Sequence, residues 1–191
     1  MSNRADRFTV VLDANVLVGA LSRNMLLSLA EAGFFRPRWS PHIQDEFERA
    51  FEQLYKDSEL AGRQRMRMEN AFPEASVNGY DPLIDAIKLH DKDDRHVVAA
   101  AIQTKASIIV TENLKDFDPK ELAKFEIEAI SLDDFLADLL DLAGTDAVAA
   151  LRTMRERFKR PEITADALVA RIEELGFLKT ADILNVYREV L

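Results

Sequence analysis

Val10-Val11-Leu12-Asp13-Ala14-Asn15-Val16-Leu17 is the stretch on which the reading of this chain turns. Three consecutive apolar residues run into an aspartate, and an apolar helical pattern begins at once. Such a run is how a parallel strand buried on both faces reads when it ends in a carboxylate. In open α/β sheets ligands bind in the crevice beyond the strands' carboxyl ends, which puts Asp13 where chemistry is done.

Outward from that stretch, residues 8–12 are expected as the first strand and residues 15 to about 31 as a helix, with Gly33 at its C-cap. Residues 34–39 read as a second strand. Ser40-Pro41 reads as an N-cap with proline at the first helical position, opening a helix that carries Ile43, Glu46, Phe47, Ala50, Phe51 and Leu54. A polar helix over 57–72 stops at Pro73, and Asn78-Gly79 and Asp81-Pro82 mark turns. Asp91-Lys92-Asp93-Asp94-Arg95-His96 opens a helix whose body is Val97 to Ile102. An apolar strand over 107–110 is closed by Thr111-Glu112-Asn113-Leu114-Lys115-Asp116-Phe117. A short helix over 119–124, a strand over 127–130 and a helix over 132–142, signalled by Ser131-Leu132-Asp133-Asp134, complete the pattern. Alternation of strands and helices from 8 to 142 predicts an α/β fold with a mostly parallel sheet and helices on both faces. Gly144 marks a break, after which 145–160, 164–175 and 180–191 read as helices with no strand between them. The expected organisation is therefore a main domain over 8–142 and a helical C-terminal extension over 144–191.

The chain has 191 residues, 48% hydrophobic and 31% charged, enough for one domain with a real core and a small appendage. With no cysteine, disulfides and thiolate-bound zinc are excluded and the expected setting is the cytosol. Met1 to Arg7 is polar, without the apolar run of a signal peptide, and no run is long enough to span a bilayer. A net charge of −9 argues against a protein that merely coats nucleic acid. It leaves room for a nuclease whose carboxylates hold a metal.

Asp13, Glu46, Asp94 and the Asn113/Asp116 pair all fall at element boundaries on the same expected side of the sheet. Crowded carboxylates want protons or a divalent cation. Magnesium takes oxygen ligands at about 2.0–2.1 Å, and a bound ion activates water and stabilises charge on a phosphoryl oxygen. Each residue also has a plainer reading. Asp13 can be a helix cap, Glu46 a solvated residue beside Asp45 and Glu48, Asp91, Asp93 and Asp94 a loop with an N-cap, and Asn113 and Asp116 turn formers. Their occurrence in order favours metal-assisted phosphodiester hydrolysis.

Leu12-Asp13-Ala14-Asn15-Val16-Leu17, Asp94-Arg95-His96-Val97-Val98-Ala99-Ala100-Ala101 and Val110-Thr111-Glu112-Asn113-Leu114-Lys115-Asp116-Phe117 resemble the signature blocks of PIN-domain ribonucleases. That family includes the toxin halves of VapBC toxin–antitoxin pairs. The resemblance covers roughly residues 8–137, and the closing helices look like the C-terminal extension of some VapC-type toxins. It implies a PIN-like three-layer α/β fold and a Mg²⁺- or Mn²⁺-dependent endoribonuclease. Asp13, Glu46 and Asp94 match the family's three main acidic positions, with Asp94 preferred over Asp93 by its spacing to Ala99–Ala101. Many members carry an aspartate where this chain has Asn113, so Asp116 is assigned as the fourth catalytic and metal-binding carboxylate, with Asn113 as its uncharged neighbour. Asn15 is expected to orient Asp13, and Thr111 to position water or the metal shell.

An RNA substrate needs cations, for which Arg23, Arg36 and Arg38, then Arg63, Arg65 and Arg67, then Arg152, Arg155, Arg157, Lys159 and Arg160 are candidates. The plainer reading of each cluster is a helix face paired to nearby glutamates. His96 either touches the scissile phosphate or caps its helix. The resemblance further implies a cognate antitoxin and a homodimer. The alternative function is a non-catalytic PIN-like module that binds RNA or protein, for which Asn113 is the one hint. A phosphoacceptor domain wants a lysine at the end of a late strand, and an aspartyl phosphatase wants a second aspartate where Asn15 stands.

Overall fold

The computed structural model describes residues 8–191; the Met1 to Arg7 stretch, and the reading of it as lacking a signal peptide, lie outside them. The first strand, β1 (Thr9–Leu12), has Val10, Val11 and Leu12 all at 0% exposure. Successive strand residues point to opposite faces, so this run means that both faces are covered. Strands β2 (Arg36–Arg38), β3 (Ile108–Val110) and β4 (Glu128–Ile130) join β1 in a fully parallel sheet of order β2-β1-β3-β4. Thr9 pairs with Arg36, Leu12 with Val110, and Val110 with Ile130. From β1 the chain steps one way to β2, then returns past β1 to β3 and β4. The topological switch point therefore lies between the carboxyl ends of β1 and β3.

The chain forms two compact units. The first contains the sheet and comprises residues 8–20 and 35–131. The helix expected over 15–31 is two helices, α1 (Ala14–Val18) and α2 (Ala20–Ala32), because Gly19 leaves helical geometry at φ −65°, ψ 127°. Helix α3 (Pro41–Tyr55) starts as expected, with Ser40 Oγ accepting the Ile43 N–H at 3.1 Å. Its buried stripe is Ile43, Gln44, Phe47 and Phe51. Leu54, expected on that stripe, is 61% exposed, because the final turn leaves the core. Helix α4 (Ser58–Ala71), capped by Asp57, packs on α3. Trp39 and Ser76 form an isolated parallel bridge beyond β2, and α5 (Asp81–Ile84) follows. Helix α6 (Arg95–Thr104) buries His96 to Ala101 and packs on the sheet, where its alanines permit close approach. A 3₁₀ turn at Leu114–Asp116 and the short α7 (Pro119–Leu122) lead into β4.

The second unit is all helical: residues 21–34 with α8 (Leu132–Ala143), α9 (Thr145–Glu156), α10 (Ala165–Glu174) and α11 (Leu178–Val186). Gly33 ends α2 at φ 86°, its N–H donating to the Leu29 and Ala30 carbonyls. Leu136, Leu140, Leu151, Leu168, Ile172 and Leu184 are buried here. Asp133, read in sequence as part of a signal for its own helix, accepts the N–H groups of Lys179 and Thr180 at 3.0 and 2.8 Å. It thereby caps α11, which begins two residues earlier than expected. No helix among the described residues is long and apolar enough to cross a membrane.

Candidate active site

The switch point is stitched across β1 and β3 before any functional group is considered. The Asp13 N–H donates to the Val110 carbonyl at 3.1 Å, and the Thr111 N–H to Ile130 at 3.0 Å, so the ladder runs one residue past each strand. Asp13 is 5% exposed and caps α1, its Oδ1 accepting the Ala14 N–H at 2.7 Å. Its Oδ2 accepts the Thr111 hydroxyl at 2.6 Å and the Asn15 side-chain N–H at 2.7 Å. Thr111, fully buried, in turn accepts from Asn15 and from the Asn113 N–H, each at 3.0 Å. Asn15 also accepts the Glu112 N–H at 3.0 Å, so one amide joins both strand ends. Burial holds the Asp13 carboxyl above its usual range, opposed by the Thr111 and Ala14 hydrogen bonds and reinforced by the charge of Glu46.

Asp94 stands at the N-cap of α6 but makes no capping hydrogen bond, and among the described residues nothing donates to its carboxylate. The carboxyl is pushed up to about 6, first by desolvation and then by the charges of Asp13, Asp91, Asp116 and Glu46. One oxygen each from Asp91, Asp94 and Asp116 fall within 4.8 Å of one another. Asn113 donates its amide N–H to Asp116, which turns that carboxylate within the 3₁₀ loop after β3. The four sequence-chosen acids thus form one electrostatic neighbourhood, and the structure adds Asp91 to it. Asp91 lies in the acidic run before α6, where three aspartates in four residues look alike without coordinates. An all-oxygen set crowded around Asp94 suits a hard divalent cation, which would relieve the repulsion on that carboxylate.

Glu46 sits on α3 and is not alone. His96, 2% exposed, places Nε2 3.2 Å from Glu46 Oε1, so its ring neither caps α6 nor stands free. His42, one turn before Glu46, stacks on His96 with ring centroids 3.8 Å apart. His42 was not singled out from the sequence; its i,i+4 spacing to Glu46 was the available signal.

The expected phosphate-binding cations are mostly engaged. Arg65 bonds Asp45, Glu48 and Glu69; Arg63 pairs with Glu59, Arg152 with Glu156 and Arg157 with Glu31. Arg155 is tied to the Leu191 and Ile163 carbonyls, and Arg23 is buried. The densest basic run, 152–160, is thus largely a self-paired face of the helical unit.

The family profile described as "PIN domain" matches residues 9–115, and one described as "VapC50 C-terminal domain" matches residues 132–186. A Mycobacterium tuberculosis protein named "Putative ribonuclease VapC50" is 39% identical over 105 residues, which cover 55% of this chain and 62% of the relative. The match therefore spans less than two thirds of that protein's length. No solved structure matches the chain.

Proposed function

The chain belongs to the PIN-domain family, and from that premise we propose that it is a metal-dependent endoribonuclease, the toxin of a toxin–antitoxin pair. The observation that carries the reading is the crowding of Asp13, Glu46, Asp91 and Asp116 around an uncapped Asp94 at the sheet's switch point. Asp13, Glu46, Asp94 and Asp116 are the residues proposed to hold Mg²⁺ or Mn²⁺. When bound, such an ion activates water and stabilises charge on the phosphoryl oxygen.

The protein's own part is positional. Thr111, Asn15 and the Ala14 amide fix Asp13 with both oxygens engaged, which keeps its orientation constant across binding and release. Asp94, lacking such donors, is the carboxylate free to exchange a proton for a cation. Asn113 steers Asp116 toward the cluster without adding a further full charge beside it. Glu46, anchored by His96, completes the set and orients the attacking water.

The proposal extends to an RNA substrate, a cognate antitoxin, a homodimer and a cytoplasmic setting. It assigns the nuclease to residues 8–142 and a helical extension to 144–191, supported in part by the separate profile matches to the two regions. The test is cleavage of a mixed RNA pool by the full chain with Mn²⁺ or Mg²⁺ against EDTA, beside Asp13→Asn and Asp94→Asn. Metal-dependent cutting lost in both folded variants is expected. Full activity in both, or RNA binding without cutting in the metal-loaded wild type, would replace the nuclease with a non-catalytic binding module.

A further inference from the structure

The two histidines beside Glu46 have a geometry that positioning one carboxylate does not require. His42 and Glu46 are one turn apart on α3, so they share a face, and His96 reaches them from the first turn of α6. His42 Nε2 lies 3.7 Å and His96 Nε2 3.2 Å from the same oxygen, Glu46 Oε1. One ligand atom from each of the three residues fits within 4.8 Å of the others. A four-coordinate ion bound at about 2.0–2.2 Å sets neighbouring ligand atoms roughly 3.3 Å apart. The two sides that meet at Glu46 Oε1 already have nearly that length.

We infer that His42, Glu46 and His96 form a second cation site, with two nitrogens and one oxygen, that takes a nitrogen-preferring divalent transition ion such as Zn²⁺ in preference to Mg²⁺. Donor chemistry separates it from the neighbouring Asp91, Asp94 and Asp116 cluster, which offers oxygen alone. The two rings stack at an interplanar angle of 16°, and an imidazole binds a metal through a ring-nitrogen lone pair. Parallel rings need a small rotation to converge on one ion, and His42, its side chain 47% exposed, is free to make it while His96 stays fixed. The same exposure leaves a fourth position open. Among the described residues His96 Nδ1 is buried without a partner, so the ring lacks there the outer hydrogen bond that metal-bound histidines use. Missing outer partners cost about 10–100-fold in affinity, which makes this an exchangeable site rather than a structural zinc. Glu46 belongs to both constellations, so an ion held here draws it away from Asp94; that consequence, unlike the binding itself, rests on the nuclease reading.

The test is titration of the full chain with Zn²⁺ by calorimetry in excess Mg²⁺, which occupies the oxygen cluster, with Co²⁺ as an optical probe of coordination. One Zn²⁺ per chain is expected, weakened at least about tenfold by His42→Ala and retained in Asp116→Asn. Because His96 is buried, His96→Gln is read only after urea unfolding shows it folded; X-ray absorption of the Zn²⁺-loaded wild type should show imidazole scattering from two rings. Unchanged affinity in His42→Ala, loss in Asp116→Asn, or no Zn²⁺ uptake in Mg²⁺ would overturn the assignment. Zn²⁺ binding that follows this pattern in a chain that cuts no RNA would leave the site standing and remove only the nuclease.

Discussion

Asp94→Asn should make the metal-free protein more stable while abolishing cleavage. The carboxyl is raised from 3.8 to about 6, and at 1.36 kcal/mol per pH unit the ionised form costs the fold about 3 kcal/mol at most. Asp94 is only half-buried, so solvent screening reduces the expected gain to about 1–2 kcal/mol. The sign follows from linkage. A carboxyl raised by folding contributes its stability below its unfolded value, near 3.8, and loses it as pH rises through about 6. The advantage of asparagine is therefore full at pH 8, partial at pH 5 and nearly absent at pH 4. Thermal or urea unfolding in EDTA at these three values reads it directly, with a shift of roughly 2–8 °C at pH 8. Added Mn²⁺ should close or reverse the gap, since the ion stabilises only the chain that holds it. A variant less stable than wild type at pH 8 in EDTA, or a gain that persists undiminished at pH 4, would show that Asp94 is not held under electrostatic stress.

Thr111→Val keeps the side chain's shape but removes the donor to Asp13 and the acceptor for Asn15 and Asn113; urea unfolding should show a loss of about 1–3 kcal/mol, and no loss would mean that Asp13 is held by its other partners alone. Asn113→Asp replaces the donor to Asp116 with a second carboxylate, so the melting temperature should fall in EDTA and recover in Mn²⁺. An equal fall in both would place Asn113 outside the cation's neighbourhood. Arg65→Ala removes ion pairs to Asp45 and Glu48 that join α4 to α3, and one to Glu69 within α4. The expected loss is about 1 kcal/mol and should shrink in high salt; a salt-independent loss would assign the effect to packing of the arginine stem.

The sheet was legible because its strands are short apolar runs ending in polar residues, and β1 buried on both faces reads the same way in either representation. Ser40-Pro41 and Gly33 were legible because capping chemistry is local. What lay beyond reach was tertiary. Asp133 belongs to the end of another helix, a pairing 46 residues apart in sequence, and a local capping signal cannot report that. Leu54 follows the apolar period of α3, yet nothing in the period says where the neighbour's cover stops. The break between α1 and α2 was carried by Gly19, a single residue that a helical pattern tolerates. At the site, Asp13, Glu46, Asp94 and Asp116 were proposed from their positions at element ends and from the family resemblance, whereas the nearness of His42 and Asp91 depends on which side chains two loops and a helix bring together.

Asp13 and Asp94 are both raised by their surroundings, but the chain treats them oppositely. Asp13 receives a backbone N–H, a hydroxyl and an amide, and these donors oppose the desolvation that burial imposes. Among the described residues Asp94 receives none, and it takes the repulsion of four neighbouring acids. The charge crowding therefore falls on Asp94, at the N-cap of α6, while Asp13 is bonded into the sheet. Among the described residues no hydrogen bond need be broken to free the Asp94 carboxylate. If the proposed metal site is right, the division into one anchored and one stressed aspartate would let a cation bind without dismantling the network that joins β1 to β3.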